Sequence, residues 1–143
     1  MQLVYNKKLG LNYEIKEKIA VGIELLGFEV KSLRKKQGSL DGARAIIRGG
    51  EVFLIGSYIP PYQESNTPKN YDPHRNRKLL LNKNEIEKLF KDEQSNNLTL
   101  VPISLYLKNN LIKLDLGLGK KKQKGDKREN IKKEIAKREM RNK

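Results

Sequence analysis

At 143 residues the chain has room for one compact domain with a modest core plus a tail, and not for two domains. Its 31 Lys and Arg against 17 Asp and Glu give a net charge of +14, which draws polyanions through counterion release and makes nucleic acid the first partner to consider. Cysteine is absent, which excludes disulfides, thiolate metal sites and a thiol nucleophile; the most apolar stretch, residues 98–107, is broken by Thr99, Pro102 and Ser104 and is too short to span a bilayer.

Residues 1–10 lack the apolar core of a signal peptide, so a soluble, cytoplasmic protein is expected. Leu26, Val30 and Leu33 recur at i, i+4 and i+7 and predict a short helix. Its outer side would carry Glu29, Lys31, Ser32, Arg34 and Lys35, a basic face. Gly49-Gly50 predicts a tight hairpin joining residues 45–48 to 51–55, with Arg48 and Glu51 as an opposite-charge pair beside the turn. Both of its faces are partly apolar, which leaves the core side open. From Pro60-Pro61-Tyr62 to Pro73 the chain holds Asn66, Thr67, Pro68, Asn70 and Asp72, cannot propagate a helix, and reads as a long surface loop. It leads into His74-Arg75-Asn76-Arg77-Lys78, where the alternation of an extended segment would set Arg75 and Arg77 on one side.

Asn82 with Glu85 three residues on makes a capping box for a second helix, followed by the one-sided stripe Ile86, Leu89 and Phe90. Asn109-Asn110 tolerates the positive φ of a two-residue turn, so a hairpin pairs 108 with 111. In that register Leu107 meets Ile112, Leu105 meets Leu114 and Ile103 meets Leu116 on a core face. Tyr106 opposite Lys113 and Ser104 opposite Asp115 form the wet face. Gly117-Leu118-Gly119-Lys120 lacks the spacing and the Ser/Thr of a phosphate loop and reads as a flexible joint. Residues 120–143 hold 12 Lys and Arg against 4 acids. Their apolar residues, Ile131, Ile135, Ala136 and Met140, are too few to dock a helix, so a free tail is expected. Asp126 followed by Glu129 could cap a helix from Lys127 once a partner neutralises the charge. The fold expected is mainly β: a closed antiparallel OB-like barrel over 1–119 with short flanking helices, then a basic tail over 120–143 that is helical when bound.

His74 is the only histidine and has no neighbouring pattern of acids or a nucleophile, so it reads as a surface loop residue. The acids are scattered among lysines at spacings that suit neither paired-carboxylate nor two-metal chemistry. No enzyme activity, metal or cofactor is expected. A charge run is usually a solvated face, yet three separate basic elements, 31–36, 75–78 and 120–143, accompany tyrosines at 58, 62, 71 and 106. That combination points to RNA. It does not say which RNA.

The run from Gly22 to Arg34, GIELLGFEVKSLR, is similar to a signature of the SsrA-binding protein (SmpB) family. Asn6-Lys7, Pro61-Tyr62, the run DPHRNRKLLL from Asp72 to Leu81, the segment from Thr99 to Lys113, and Asp126-Lys127-Arg128 resemble further blocks of that family, in order. The resemblance implies an OB-like barrel that grips the tRNA-like part of transfer-messenger RNA (tmRNA). Its basic tail would fold as a helix in the mRNA channel near the small-subunit decoding region of a stalled ribosome. Asn6, Leu80 and Lys113 are the RNA-binding positions carried over. With the basic runs and motif blocks, the candidate RNA-binding set is Asn6, Lys7, Glu29, Lys31, Arg34, Asn70, Arg75, Arg77, Lys78, Leu80, Lys108 and Lys113. The candidate ribosome-binding set is Lys120, Lys121, Lys122, Lys124, Asp126, Lys127 and Arg128. Partners are then tmRNA and the ribosome, with no membrane, and the chain is expected to be a monomer.

Several positions depart from the family, among them Gly42-Ala43-Arg44, where Asp, then Ser or Gly, then an aromatic are usual, and the run KKKQKG from Lys120 to Gly125. Ala20 stands where a glutamate linked to tmRNA binding is usual, Tyr71 where Asn-His precedes Asp-Pro, and Gly125 where an aromatic or histidine precedes Asp-Lys-Arg. Two other classes compete. A general OB-type RNA-binding or ribosome-associated module would bind many RNAs alike, with steep salt dependence. A nuclease or RNA-modifying enzyme would need a metal cluster or acid–base pair.

Overall fold

The computed structural model describes residues 1–62 and 67–122. In chain order the elements are β1 (Gln2–Tyr5), α1 (Leu9–Asn12), β2 (Tyr13–Ile23), α2 (Gly27–Arg34), β3 (Arg44–Arg48), β4 (Glu51–Ile55), β5 (Arg77–Leu80), α3 (Lys83–Asn96), β6 (Thr99–Lys108) and β7 (Leu111–Lys121). The seven strands form one antiparallel sheet in the order β1-β6-β7-β2-β5-β4-β3. The mainly β architecture and the few short helices are as expected. Closure is not seen as a ladder: β1 and β3 are the two ends of the sheet, although β3 packs near β6.

Both predicted hairpins form, for the reason given by their turn residues. Asn109 and Asn110 adopt φ of 50° and 65°, Gly49 and Gly50 of 59° and 76°, the paired positive values that match the twist of flanking strands. Lys108 faces Leu111, Leu107 faces Ile112 and Leu105 faces Leu114, as read from the sequence. The register then shifts. A bulge between Pro102 and Ser104 places Pro102, not Ile103, opposite Leu116, and Ile103 turns to the outer face. In the other hairpin Ala45, Val52 and Leu54 are buried and define the core side. Arg48 faces Glu51 in register, yet the Glu51 carboxylate pairs with Lys78 at 3.2 Å.

The main core gathers Val21, Ile23, Leu33, Leu40, Val52, Leu54, Leu79, Leu89, Leu100, Leu105, Leu114, Leu116 and Leu118. A second cluster of Leu9, Val101 and Ile103, with Tyr13 and Ile15 against it, lies on the outer face. Glycine makes this cluster possible, because a Cβ on Gly117 would stand 3.0 Å from Ile103 Cδ1 and one on Gly119 3.1 Å from Tyr13 Cβ. The sequence reading of 117–120 as a flexible joint is therefore corrected. Gly117, Leu118, Gly119 and Lys120 are strand, Leu118 is buried, and Lys120 and Lys121 pair with Glu14 and Tyr13. Lys122 donates its backbone N–H to Asn12 and its ammonium to the Gly10 carbonyl at 2.7 Å. Strand pairing thus continues past the 119/120 boundary expected from sequence, as far as Lys121. The helix expected from Lys127 lies outside the described residues.

α3 opens as predicted. Asn82 Oδ1 accepts from the Glu85 N–H at 2.8 Å and Glu85 Oε1 from the Asn82 N–H at 2.9 Å. Leu89 is buried and Ile86 packs on the core, but Phe90, placed in the same stripe from sequence, is 49% exposed. Leu26 is likewise the N-cap of α2 and exposed, not a core position.

Between α2 and β3 the chain crosses Gly38 at φ 137°, where a Cβ would stand 3.0 Å from the Tyr58 carbonyl oxygen. Both the dihedral and the contact demand glycine. Gly38→Ala is expected to lower the unfolding free energy by about 1–3 kcal/mol in urea titration.

Candidate nucleic-acid interface

Strand pairing sets a row of side chains across the outer face. Leu80 on β5 faces Gly22 on β2, Gly22 faces Lys113 on β7, Lys113 faces Tyr106 on β6, and Tyr106 faces Gln2 on β1. Five strands at the usual spacing make this row about 19 Å long. Directly opposed residues share a face, so all five side positions lie on one surface. Gly22 has no side chain, and Leu80 leans over it: a Cβ there would meet Leu80 Cβ and Cδ1 at 3.2 Å. Leu80 is 49% exposed beside the half-buried Lys113. The next row runs Ala20, Asp115, Ser104 and Tyr5. Ser104 is buried there, which corrects its assignment to the wet face. Burial, then the charge and hydrogen bond of Asp115, raise the Tyr106 hydroxyl above the ordinary tyrosine range. The hydroxyl proton is committed to Asp115, and the ring faces Lys113 across the strand pair. Lys7 and Lys108 are exposed beyond this patch.

Of this row, Leu80 and Lys113 are candidates carried over from the family resemblance, and the hairpin register places Tyr106 on the wet face. Gln2, Gly22 and Tyr5 went unrecognised because β1 and β2 were not predicted. For β2 the signal existed in the alternation Ile19, Val21, Ile23, which the structure buries or half-buries on the core face.

A second constellation departs most from expectation. Glu29, read as an outward residue of the basic helix, has no exposed surface at all. Its Oε2 accepts from Arg77 Nη2 at 2.7 Å, Arg77 Nε at 2.9 Å and Arg75 Nε at 3.0 Å. Its Oε1 accepts from Arg75 Nη2 and from the Leu26 N–H. The Tyr71 hydroxyl lies 2.8 Å from both Glu29 Oε2 and the Ile59 carbonyl oxygen, and accepts from Arg77 Nη2 at 3.0 Å. Arg77 is also fully buried, and its remaining donors go to Ser57 Oγ and to the carbonyls of Arg75 and Pro73. Burial alone would raise the Glu29 carboxyl. The hydrogen bonds from Arg75, Leu26 and Tyr71 and the Arg77 charge outweigh it and hold the group at about 2. Burial and the adjacent carboxylate push Tyr71 up to about 12.

Glu29 and Arg77, both in the candidate RNA-binding set, are enclosed here with their polar atoms hydrogen-bonded inside the protein, and the outward orientation read for Glu29 is corrected. They lock α2 to the segments 57–60 and 71–77. Arg75 keeps 29% of its side chain exposed and remains open to a partner. Ser32, also assigned to the outer side, is buried and donates to the Pro60 carbonyl at 2.6 Å. Asn6, a candidate RNA-binding position, lies at the end of β1. It is buried, and its side-chain amide donates to the Pro102 carbonyl at 3.0 Å, where it secures the end of β1. Lys31 and Arg34 are exposed as expected, with Lys31 Nζ 6.0 Å from the Tyr62 ring centroid. Asn70 is exposed in a turn closed by Tyr71 N–H to Pro68 O. Lys78 is paired to Glu51. Lys120 and Lys121 are exposed on β7. Lys124, Asp126, Lys127 and Arg128 lie outside the described residues.

Among the described residues no group of three or more His, Cys, Asp or Glu is placed to hold a metal ion, and no helix is long and apolar enough to cross a membrane.

A family model described as "SmpB protein" matches residues 3–143. The chain is 48% identical over 140 residues to the SsrA-binding protein of Mesoplasma florum, covering 97% of this chain and 94% of that one. It is 46% identical over 136 residues to the SsrA-binding protein of Halothermothrix orenii, covering 95% and 87%. A solved structure described as "tmRNA-SmpB: a journey to the center of the bacterial ribosome" matches with a TM-score of 0.71 at 36% identity, covering 92% of this chain and 95% of that chain. With a family model matched over residues 3–143 and relatives almost half identical along nearly its whole length, the chain belongs to the SmpB family.

Proposed function

We infer that the chain binds the tRNA-like part of tmRNA and delivers it to stalled ribosomes for trans-translation, in the cytoplasm, as a monomer and without catalysis of its own. The observation that carries this is the outer row, in which Leu80, Lys113 and Tyr106 line up across three of the sheet's central strands within a chain so closely related to the SsrA-binding proteins. The curled sheet serves as an OB-like barrel. A cation, a phenol and an apolar side chain along one face suit phosphate, ribose and base contacts together. Residues 123–143, with Lys124, Asp126, Lys127 and Arg128, engage the small-subunit decoding region and mRNA channel.

The test is a gel shift with matched tmRNA in the presence of bulk tRNA. Tight binding that tRNA does not compete away supports the reading, whereas equal competition by tRNA would leave a general RNA-binding module. In the same assay Lys113→Ala should weaken tmRNA binding and reduce the salt slope by about one. Its cooperative melt should be retained, because Lys113 lies on the face opposite Leu114 and Leu105.

A further inference from the structure

Away from the outer row, three segments meet at the end of α2. Ser39 and Tyr58 exchange both backbone hydrogen bonds at 2.9 Å, and the Ile59 N–H donates to the Pro73 carbonyl at 3.0 Å. This stitching brings the Tyr58 ring against His74, with centroids 5.1 Å apart and planes at 40°. Tyr58 is 39% exposed and His74 is exposed. A ring pair in direct contact admits nothing between its members. Its outer surface is a small aromatic shelf facing solvent.

Cations lie near in sequence, and the exposed Asp41, whose N–H donates to Ser39 Oγ at 3.1 Å, is an acid on the same segment. Arg34, Lys35 and Lys36 are exposed at the end of α2, a few positions before Ser39, and the Lys36 N–H donates to the Leu33 carbonyl at 2.8 Å, which fixes the turn. Arg75 follows His74 directly. The Glu29 carboxylate is consumed inside the buried cluster, and Asp72 accepts the His74 backbone N–H at 2.9 Å. Gly38 lets the backbone after α2 approach the Tyr58 carbonyl, where a Cβ would stand 3.0 Å away.

We propose that Tyr58 and His74 form a stacking shelf for one unpaired RNA base, with Arg34 and Lys36 holding the flanking phosphates. Every base has a π-face, so the shelf selects for an unstacked nucleotide and not for its identity. The Lys113 row and this shelf are then separate contacts. The proposal rests on the RNA-binding function inferred above, and the base belongs either to tmRNA or to ribosomal RNA.

The experiment uses the full chain as wild type, Tyr58→Ala, Tyr58→Phe, His74→Ala and the double variant Arg34→Ala/Lys36→Ala. Each is titrated with matched tmRNA, and each tmRNA complex is then titrated with stalled ribosomes. Tyr58→Ala is expected to bind roughly tenfold more weakly in one arm, with its salt slope unchanged, while Tyr58→Phe stays near wild type. Loss in the first arm assigns the base to tmRNA, and loss only in the second assigns it to the ribosome. The double variant should lower the salt slope by about two in the same arm. Wild-type affinity of Tyr58→Ala in both arms overturns the shelf, as does Tyr58→Phe failing as badly as alanine. If wild type itself does not prefer tmRNA over tRNA, the inferred function fails instead, which is a distinguishable result.

Discussion

Glu29→Ala is expected to unfold far more readily than wild type, losing about 3–5 kcal/mol, a large share of the total stability of a small domain. The substitution leaves Arg77, with no exposed surface, as a buried cation facing only neutral acceptors. A surface ion pair would contribute roughly 0–1 kcal/mol; complete enclosure is what changes the magnitude. Urea titration checks it. The double variant Glu29→Met/Arg77→Met should recover part of the loss, since removing both charges leaves none stranded. The cluster also sets a pH signature. Glu29 is held at about 2 against an ordinary value of 4.5, so its contribution is fully present above about 4.5 and is lost as pH falls toward 2. A stability profile of Glu29→Gln should therefore be flatter than wild type across that window, by about 3 kcal/mol. Equal acid sensitivity of the two proteins would refute the assignment.

The second large effect is functional. Truncation after Lys122 is expected to leave a folded protein that binds tmRNA with wild-type affinity but fails to support peptide tagging on stalled ribosomes. The cut falls beyond the last strand pairs, Lys120 with Glu14 and Lys121 with Tyr13, and beyond the Lys122 contacts to Asn12 and Gly10. It removes residues 123–143, whose 9 Lys and Arg exceed 4 acids. A cut after Gly119 is a poorer experiment, because it strips those contacts and would mix folding with function. Normal tagging by the shorter protein would remove the tail from the mechanism.

What the sequence made legible was local. Two adjacent asparagines and two adjacent glycines tolerate the paired positive φ that a tight hairpin turn demands and most residues avoid, and the Asn82/Glu85 cap needs only its own backbone. From the Asn109-Asn110 turn the pairing could be counted outward, correctly until the bulge. That bulge depends on Leu9, Tyr13 and Ile15 offering Ile103 an outer pocket, a contact between distant parts of the chain. Glu29 failed for a similar reason. Helical periodicity says which way a carboxylate points relative to its own helix, but not that Arg75 and Arg77 arrive from more than forty residues away to enclose it. A clue was present: two arginines alternating along an extended segment are a fork awaiting one acid. β2 was overlooked because Glu17 breaks the apolar alternation of Tyr13, Ile15, Ile19, Val21 and Ile23, next to the bulge between Ile15 and Glu17.

β2 also imposes a schedule on synthesis. One long edge of Tyr13–Ile23 is covered only by β7, which begins at Leu111. At translation speeds of about 5–20 residues per second, that edge waits roughly 4–18 s for its partner. An unpaired strand of this length invites pairing with a neighbouring nascent chain. Glu14, Lys16, Glu17 and Lys18 crowd four charges into its first half, and such residues act as gatekeepers against that association. Replacing them with threonine or valine would suit the finished sheet, yet leave the growing chain adhesive during those seconds.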